Sequence, residues 1–181
     1  MRWSIIGSFL AGAFVAVAVL AICVFGYFRL GIAPVATSAP PMVFEHALAK
    51  AALHARIRKE MPSGAPIAAD DANLAAGAHV YAKNCAVCHG MIDQPATYIA
   101  RGMFPKPPQL FIKTVADDPL GEIYWKTKNG IRLTGMPAFV GSLSDTEIWQ
   151  VSLLLKKADQ VPPAVRTMLA RNADDPAATG R

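Results

Sequence analysis

The pentapeptide Cys85-Ala86-Val87-Cys88-His89 is the part of this 181-residue sequence whose residue types and spacing promise chemistry. Two thiols three positions apart fall on one side of a helical turn, where each can form a thioether with one vinyl group of a haem. The adjacent imidazole then lies below the iron as a first axial ligand. Two other chemistries share a C-x-x-C pair. A redox dithiol usually belongs to a strand-helix α/β pattern, which this sequence lacks. A zinc cage needs more ligands, and the third cysteine, Cys23, lies in a distant apolar segment. Attachment of one haem is the favoured reading.

Iron that only carries electrons usually has a second strong protein ligand, because a closed six-coordinate site changes little between its two oxidation states. Met136 lies in the segment from Asn129 to Phe139, NGIRLTGMPAF, between two predicted helices and bracketed by Gly and Pro. Such a loop can hold a thioether at a fixed point instead of burying it as core filler. Met91 is too close to His89 to cross to the opposite haem face, and Met103 is also nearer to His89 than Met136 is. His79 lies on the helix entering the motif and points away, while His46 and His54 belong to a helix nearer the N-terminus. The expected iron ligands are therefore His89 and Met136. No general base is evident, and Asp117 with Asp118 reads as a helix cap rather than a catalytic pair.

Helices must position these groups. Asp70 or Asp71 caps a helix running from about residue 72 to the first cysteine of the motif. Asp118 and Pro119 read as cap and first residue of a helix over 119–129, which Gly130 stops. Ser144 and Glu147 make an S-x-x-E box that opens a last helix from 145 to about 157, with Ile148, Val151, Leu154 and Leu155 on its buried face. Pro162-Pro163 ends the domain, and 164–181 reads as a loosely held tail. No strand or internal repeat is visible. Trp125, Leu133 and Phe139 are expected to keep water from the iron.

The stretch from about residue 70 to 160 resembles a class I cytochrome c domain: a helix entering C-x-x-C-H, a Pro-rich loop, Gly135-Met136-Pro137, and a final helix opened by a capping box. The resemblance implies an all-α fold wrapped around one covalent haem c, one-electron transfer, and His/Met ligation. It also implies that Gly77 and Tyr81 let the last helix cross closely over the first. A Pro carbonyl should accept the remaining N–H of His89; Pro108 fits best, with Pro105 and Pro107 close by. The loop after Gly90 departs from the Gly-rich version common in the family.

Ahead of this domain, residues 5–28 are apolar and carry no charge before Arg29, a length that suits a bilayer span. The block exceeds the roughly 7–15 apolar residues of a cleaved signal peptide, so a retained anchor is favoured. Cys23 follows the bulky Ile22, unlike a lipoprotein cysteine. A basic leading segment and the need to export the haem domain place that domain on the periplasmic face of a bacterial inner membrane. Residues 31–41 read as an extended spacer, 45–60 as an amphipathic basic helix with Ala49, Leu53 and Ile57 on one side, and 61–69 as a second linker. That helix reads equally as a solvated connector or as one docked on lipid or a partner. The expected division is an anchor over 1–29, a linker over 30–69, the haem domain over 70–160 and a tail over 161–181, with no haem-contacting residue before 72.

The net charge of +5 is unevenly spread. Residues 70–160 hold nine Lys/Arg against nine Asp/Glu, whereas 29–69 hold five against two. A balanced domain lacks the basic face that nucleic acid requires, and the excess lies beside the expected bilayer. The partners expected are redox proteins: a membrane dehydrogenase, an oxidase or another cytochrome. The chain reads as an electron carrier rather than an enzyme. The alternatives are a cytochrome subunit of such a complex, or a haem-based sensor or enzyme with an open iron.

Overall fold

Asp70 accepts from the Asn73 amide (2.8 Å) and so starts the helix that leads into the C-x-x-C-H residues. The computed structural model describes residues 2–112 and 115–172, and every regular element among them is helical. It divides into a unit over Met1–His46 and a second that begins at Ala47.

In the first unit, helix α1 (Arg2–Arg29) contains 25 residues, Ile5–Arg29, long and apolar enough to cross a membrane. It closes with Gly31 at φ +69°, whose N–H reaches the Phe28 carbonyl while the Ile32 N–H reaches that of Tyr27. This paired arrangement satisfies carbonyls that the helix end leaves open, and the left-handed turn favours glycine.

The remaining elements are α2 (Glu45–Glu60), α3 (Asp71–Asn84), α4 (Ala86–His89), α5 (Tyr98–Gly102), a 3-10 turn at Val115–Asp117, α6 (Leu120–Asn129), α7 (Asp145–Lys156) and α8 (Pro163–Asn172). The core is built where α3 and α7 cross. A Cβ on Gly77 would overlap the Gln150 carbonyl, and Gln150 Nε2 donates to Asn73 Oδ1 beside it (3.0 Å). Tyr81 is wholly buried; its hydroxyl donates to the Gly90 carbonyl (2.6 Å), and its ring meets Phe111 edge-on. Backbone faces backbone at Gly77, so Gly77→Ala has no flexible neighbour to displace. It is expected to cost roughly 1–3 kcal/mol or more, read as an earlier denaturant midpoint.

Helix α7 opens with a full capping box: Ser144 Oγ accepts from the Glu147 amide, and the Glu147 carboxylate accepts from the Ser144 amide (2.8 Å). Its Trp149 stacks on Tyr124 of α6, with ring centroids 3.9 Å apart. Helix α6 starts at Leu120, and Asp118 does not cap it. The Asp118 carboxylate instead accepts from Lys126 (2.9 Å), and its main-chain carbonyl accepts from Lys156 (3.0 Å), so an ion pair has taken the side chain that the capping pattern assigned.

Two segments outside 70–160 join the core. On α2, Ile57 is 1% exposed, and Glu60 accepts from Trp125 Nε1 (3.1 Å). The Pro62 carbonyl occupies the space a Gly121 side chain would need, and Ala65 and Ile67 pack on the core. The Leu53–Ile57 stripe therefore faces this domain, neither solvated nor left free for lipid. On α8, Val165 and Leu169 are buried beneath α3, and Arg166 pairs with Asp93 (2.5 Å). Residues 163–172 are thus a packed helix rather than a loose tail, because a four-residue apolar spacing follows a proline suited to the first helical turn. Residues 173–181 lie outside the described residues.

Candidate functional site

The chain stays helical from α3 through Cys85 into α4, with the Cys88 and His89 amides both donating to the Cys85 carbonyl (3.1 and 2.9 Å). One turn therefore turns both sulfurs and the imidazole toward the same space. Gly90, at φ +74°, ends that turn. The space is an apolar cavity of about 390 Å³, lined by Cys85, Cys88 and His89 and also by Met103, Met136, Pro108, Ile123, Ile131, Phe139 and Leu155. Its size falls within the range of about 300–1,000 Å³ typical of small-molecule and cofactor clefts.

His89 Nδ1 donates to the Pro108 carbonyl (2.8 Å). A carbonyl can only accept, so this bond fixes the proton on Nδ1 and leaves the Nε2 lone pair free to bind a metal. Burial lowers the His89 pKa, and the Pro108 carbonyl opposes that shift only in part. The imidazole is accordingly neutral at pH 7, as a ligand must be. Burial pushes the Cys85 thiol up to about 12, with Cys88 adding to the rise, and burial raises Cys88 as well. A reactive dithiol needs the opposite shift.

Met136 is held by its loop. The Met136 amide donates to Thr134 Oγ1 (3.1 Å), and the Ile131 amide donates to the Met136 carbonyl (3.2 Å). The segment then returns to α6, where the amides of Phe139 and Val140 donate to the Thr127 and Lys128 carbonyls. Gly130 makes that return possible: its φ is +66°, and a Cβ there would stand 2.6 Å from the Pro137 carbonyl carbon.

Of the apolar shield expected around the iron, only Phe139 lines the cavity. Leu133 is 89% exposed at φ +63°, and Trp125 is turned toward Glu60. Ile123 of α6, Leu155 of α7 and Ile131 in the loop after Gly130 take their place, while Leu133 lies at an exposed turn. Leu53 of α2 also lines the cavity, contrary to the expectation that nothing before residue 72 would reach it. Its stripe of apolar residues at four-residue spacing was visible in the sequence; its destination was not. Lys126 and Asp118 bring charge to the wall. Burial pulls the Lys126 pKa down, but its bonds to Glu122 and Asp118 outweigh this and hold it above the ordinary value. His46 and His79 are not among the lining residues.

The residues fit a covalently held haem: two thiols one helical turn apart, a neutral imidazole with a fixed tautomer, and a thioether share one apolar cavity. No curated protein matches the chain. Residues 72–153 match the family model described as cytochrome C oxidase, cbb3-type, subunit III, a span that runs from α3 into α7 and includes the cavity's cysteines, imidazole and thioether. Over these residues the chain is a class I c-type cytochrome domain, an all-α electron-transfer fold with one covalent haem c and its iron.

Proposed function

We propose that the chain is a membrane-anchored electron carrier in which Cys85 and Cys88 form the thioethers, His89 and Met136 are the axial ligands, and Pro108 orients His89. The observation that carries this reading is that one apolar cavity is lined by all five residues. The bound haem supplies a one-electron ferric–ferrous couple. His89 contributes a basic nitrogen strengthened by its bond to Pro108. Met136 contributes a neutral, soft sulfur that favours the ferrous state and so raises the potential. Ile123, Ile131, Phe139 and Leu155 exclude water.

Helix α1 supports an anchor by length and composition, and we place the haem domain on the periplasmic side of a bacterial inner membrane. Its partners are membrane redox proteins. A second reading, a cytochrome subunit of an oxidase or dehydrogenase complex, draws support from the description of the matching family. Purification of the intact protein in mild detergent separates the two: a stoichiometric companion establishes the subunit, and a protein that elutes alone establishes the carrier.

Met136→Ala tests the ligation. Haem should remain attached, the weak far-red band of thioether-bound ferric haem should vanish, and cyanide should bind far faster. The potential should fall by on the order of 100 mV, part of the ~0.8 V range that axial ligands control. An unchanged spectrum and cyanide rate would remove Met136 from the iron.

A further inference from the structure

Met103 lies nearer to His89 in sequence than Met136 does, yet its side chain reaches the segment that carries Met136. A Cβ built on Gly135 would collide with Met103 Cε, and Met103 Sδ would lie 3.6 Å from it. Met103 is half-buried and lines the same cavity as Met136 and His89. The absent Gly135 side chain is therefore filled by the Met103 methyl.

The other end of Met103 is tied to the haem motif. It directly follows α5, and its amide donates to the Ala100 carbonyl (3.4 Å). Thr97 caps α5 by accepting from the Ala100 amide (3.0 Å), and the same hydroxyl donates to the Val87 carbonyl between the two motif cysteines (2.7 Å). Five residues beyond Met103, Pro108 accepts from His89. One side chain thus joins the segment that orients His89 to the segment that presents Met136.

We infer that Met103 is a positioning residue, a clasp that holds the Met136 loop closed over the cavity and limits how often the thioether leaves the iron. The inference rests on Met136 being the sixth ligand. Contact with Gly135 through a terminal methyl is a packing role, which an apolar side chain of similar length can fill; ligation would need the sulfur itself.

The test uses the full-length, haem-loaded protein in detergent, with two readouts: the far-red thioether band and the rate of cyanide binding to the ferric state. Met103→Ala should keep the band while cyanide binds about tenfold faster, since loss of a partly buried contact raises the open population by about that factor. Met103→Leu should restore a rate near wild type. Gly135→Ala, whose added methyl meets only the flexible end of Met103, should displace that end and raise the rate no more than Met103→Ala does, with little further effect in the Met103→Ala background, a coupling that a double-mutant cycle reads directly. A wild-type cyanide rate in Met103→Ala, or additive effects in the cycle, would overturn the clasp while leaving Met136 as ligand. A wild-type protein without the far-red band would instead overturn the Met136 assignment. If the band survives in Met136→Ala and disappears when Met103→Ala is added, Met103 is a ligand and the positioning role is wrong.

Discussion

Replacing Cys85 and Cys88 together with Ser should abolish covalent haem, so that denatured protein run on a gel and stained for haem peroxidase activity is expected to show no band. A complete loss is expected on the proposed attachment. Both sulfurs line one wall of the cavity, and no third cysteine does; Cys23 lies on α1, in the other unit. Single variants retain one thioether and stain weakly. The double variant keeps His89 and its bond to Pro108, so any haem it collects is extractable by acid–acetone. A stained band of wild-type intensity from the double variant would remove the pentapeptide from the centre of the molecule.

A second large effect concerns residues 45–69. A fragment starting at residue 45 and one starting at Asp70, each exported behind a cleavable leader, should differ sharply in stability. The shorter one loses Leu53 from the cavity wall and the buried Ile57, exposes Gly121 and strips Ala65 and Ile67 from the core. It also takes His54 from Glu122, which is 8% exposed, and Glu60 from Trp125. Truncating one such buried aliphatic costs about 2–5 kcal/mol. The whole segment is therefore expected to supply on the order of 5 kcal/mol, a large share of the ~5–15 kcal/mol that holds a domain together. Guanidinium unfolding followed in the haem absorption band should give a much lower midpoint for the fragment from Asp70. Equal midpoints would show that α2 only leans on the domain.

Local signals explain what the sequence revealed in advance. The caps at Asp70 and Ser144, the Gly130 stop and the C-x-x-C-H turn each depend on residues within one helical turn of one another, so pattern and structure coincide. Tertiary choices explain the remainder. Asp118 could cap α6 or pair with Lys126, and a cation with two acidic neighbours draws it to the second. Leu53, Ile57, Val165 and Leu169 carry helical spacing that says a face is apolar but not what covers it. Met103 was judged by its distance along the chain from His89, whereas the fold turns it toward Gly135. Leu133 was assigned to the iron's shield because it is apolar and close to Met136, yet a left-handed backbone at the loop tip points it into solvent.

The crossing at Gly77 also governs the order in which the molecule comes apart. Asn73 and Gln150, bonded beside it, are 77 residues apart, and closing a loop that long costs about 4 kcal/mol of chain entropy. The C-x-x-C-H residues follow directly on α3, one of the two helices that repay this cost. The segment around Met136 depends on a handful of loop hydrogen bonds and can open through a local fluctuation. Amide exchange should therefore be slowest in α3 and α7 and markedly faster across 131–139. On heating, the segment that carries Met136 should loosen before α3 and α7 part, while a covalently held haem stays on the chain through the cooperative transition.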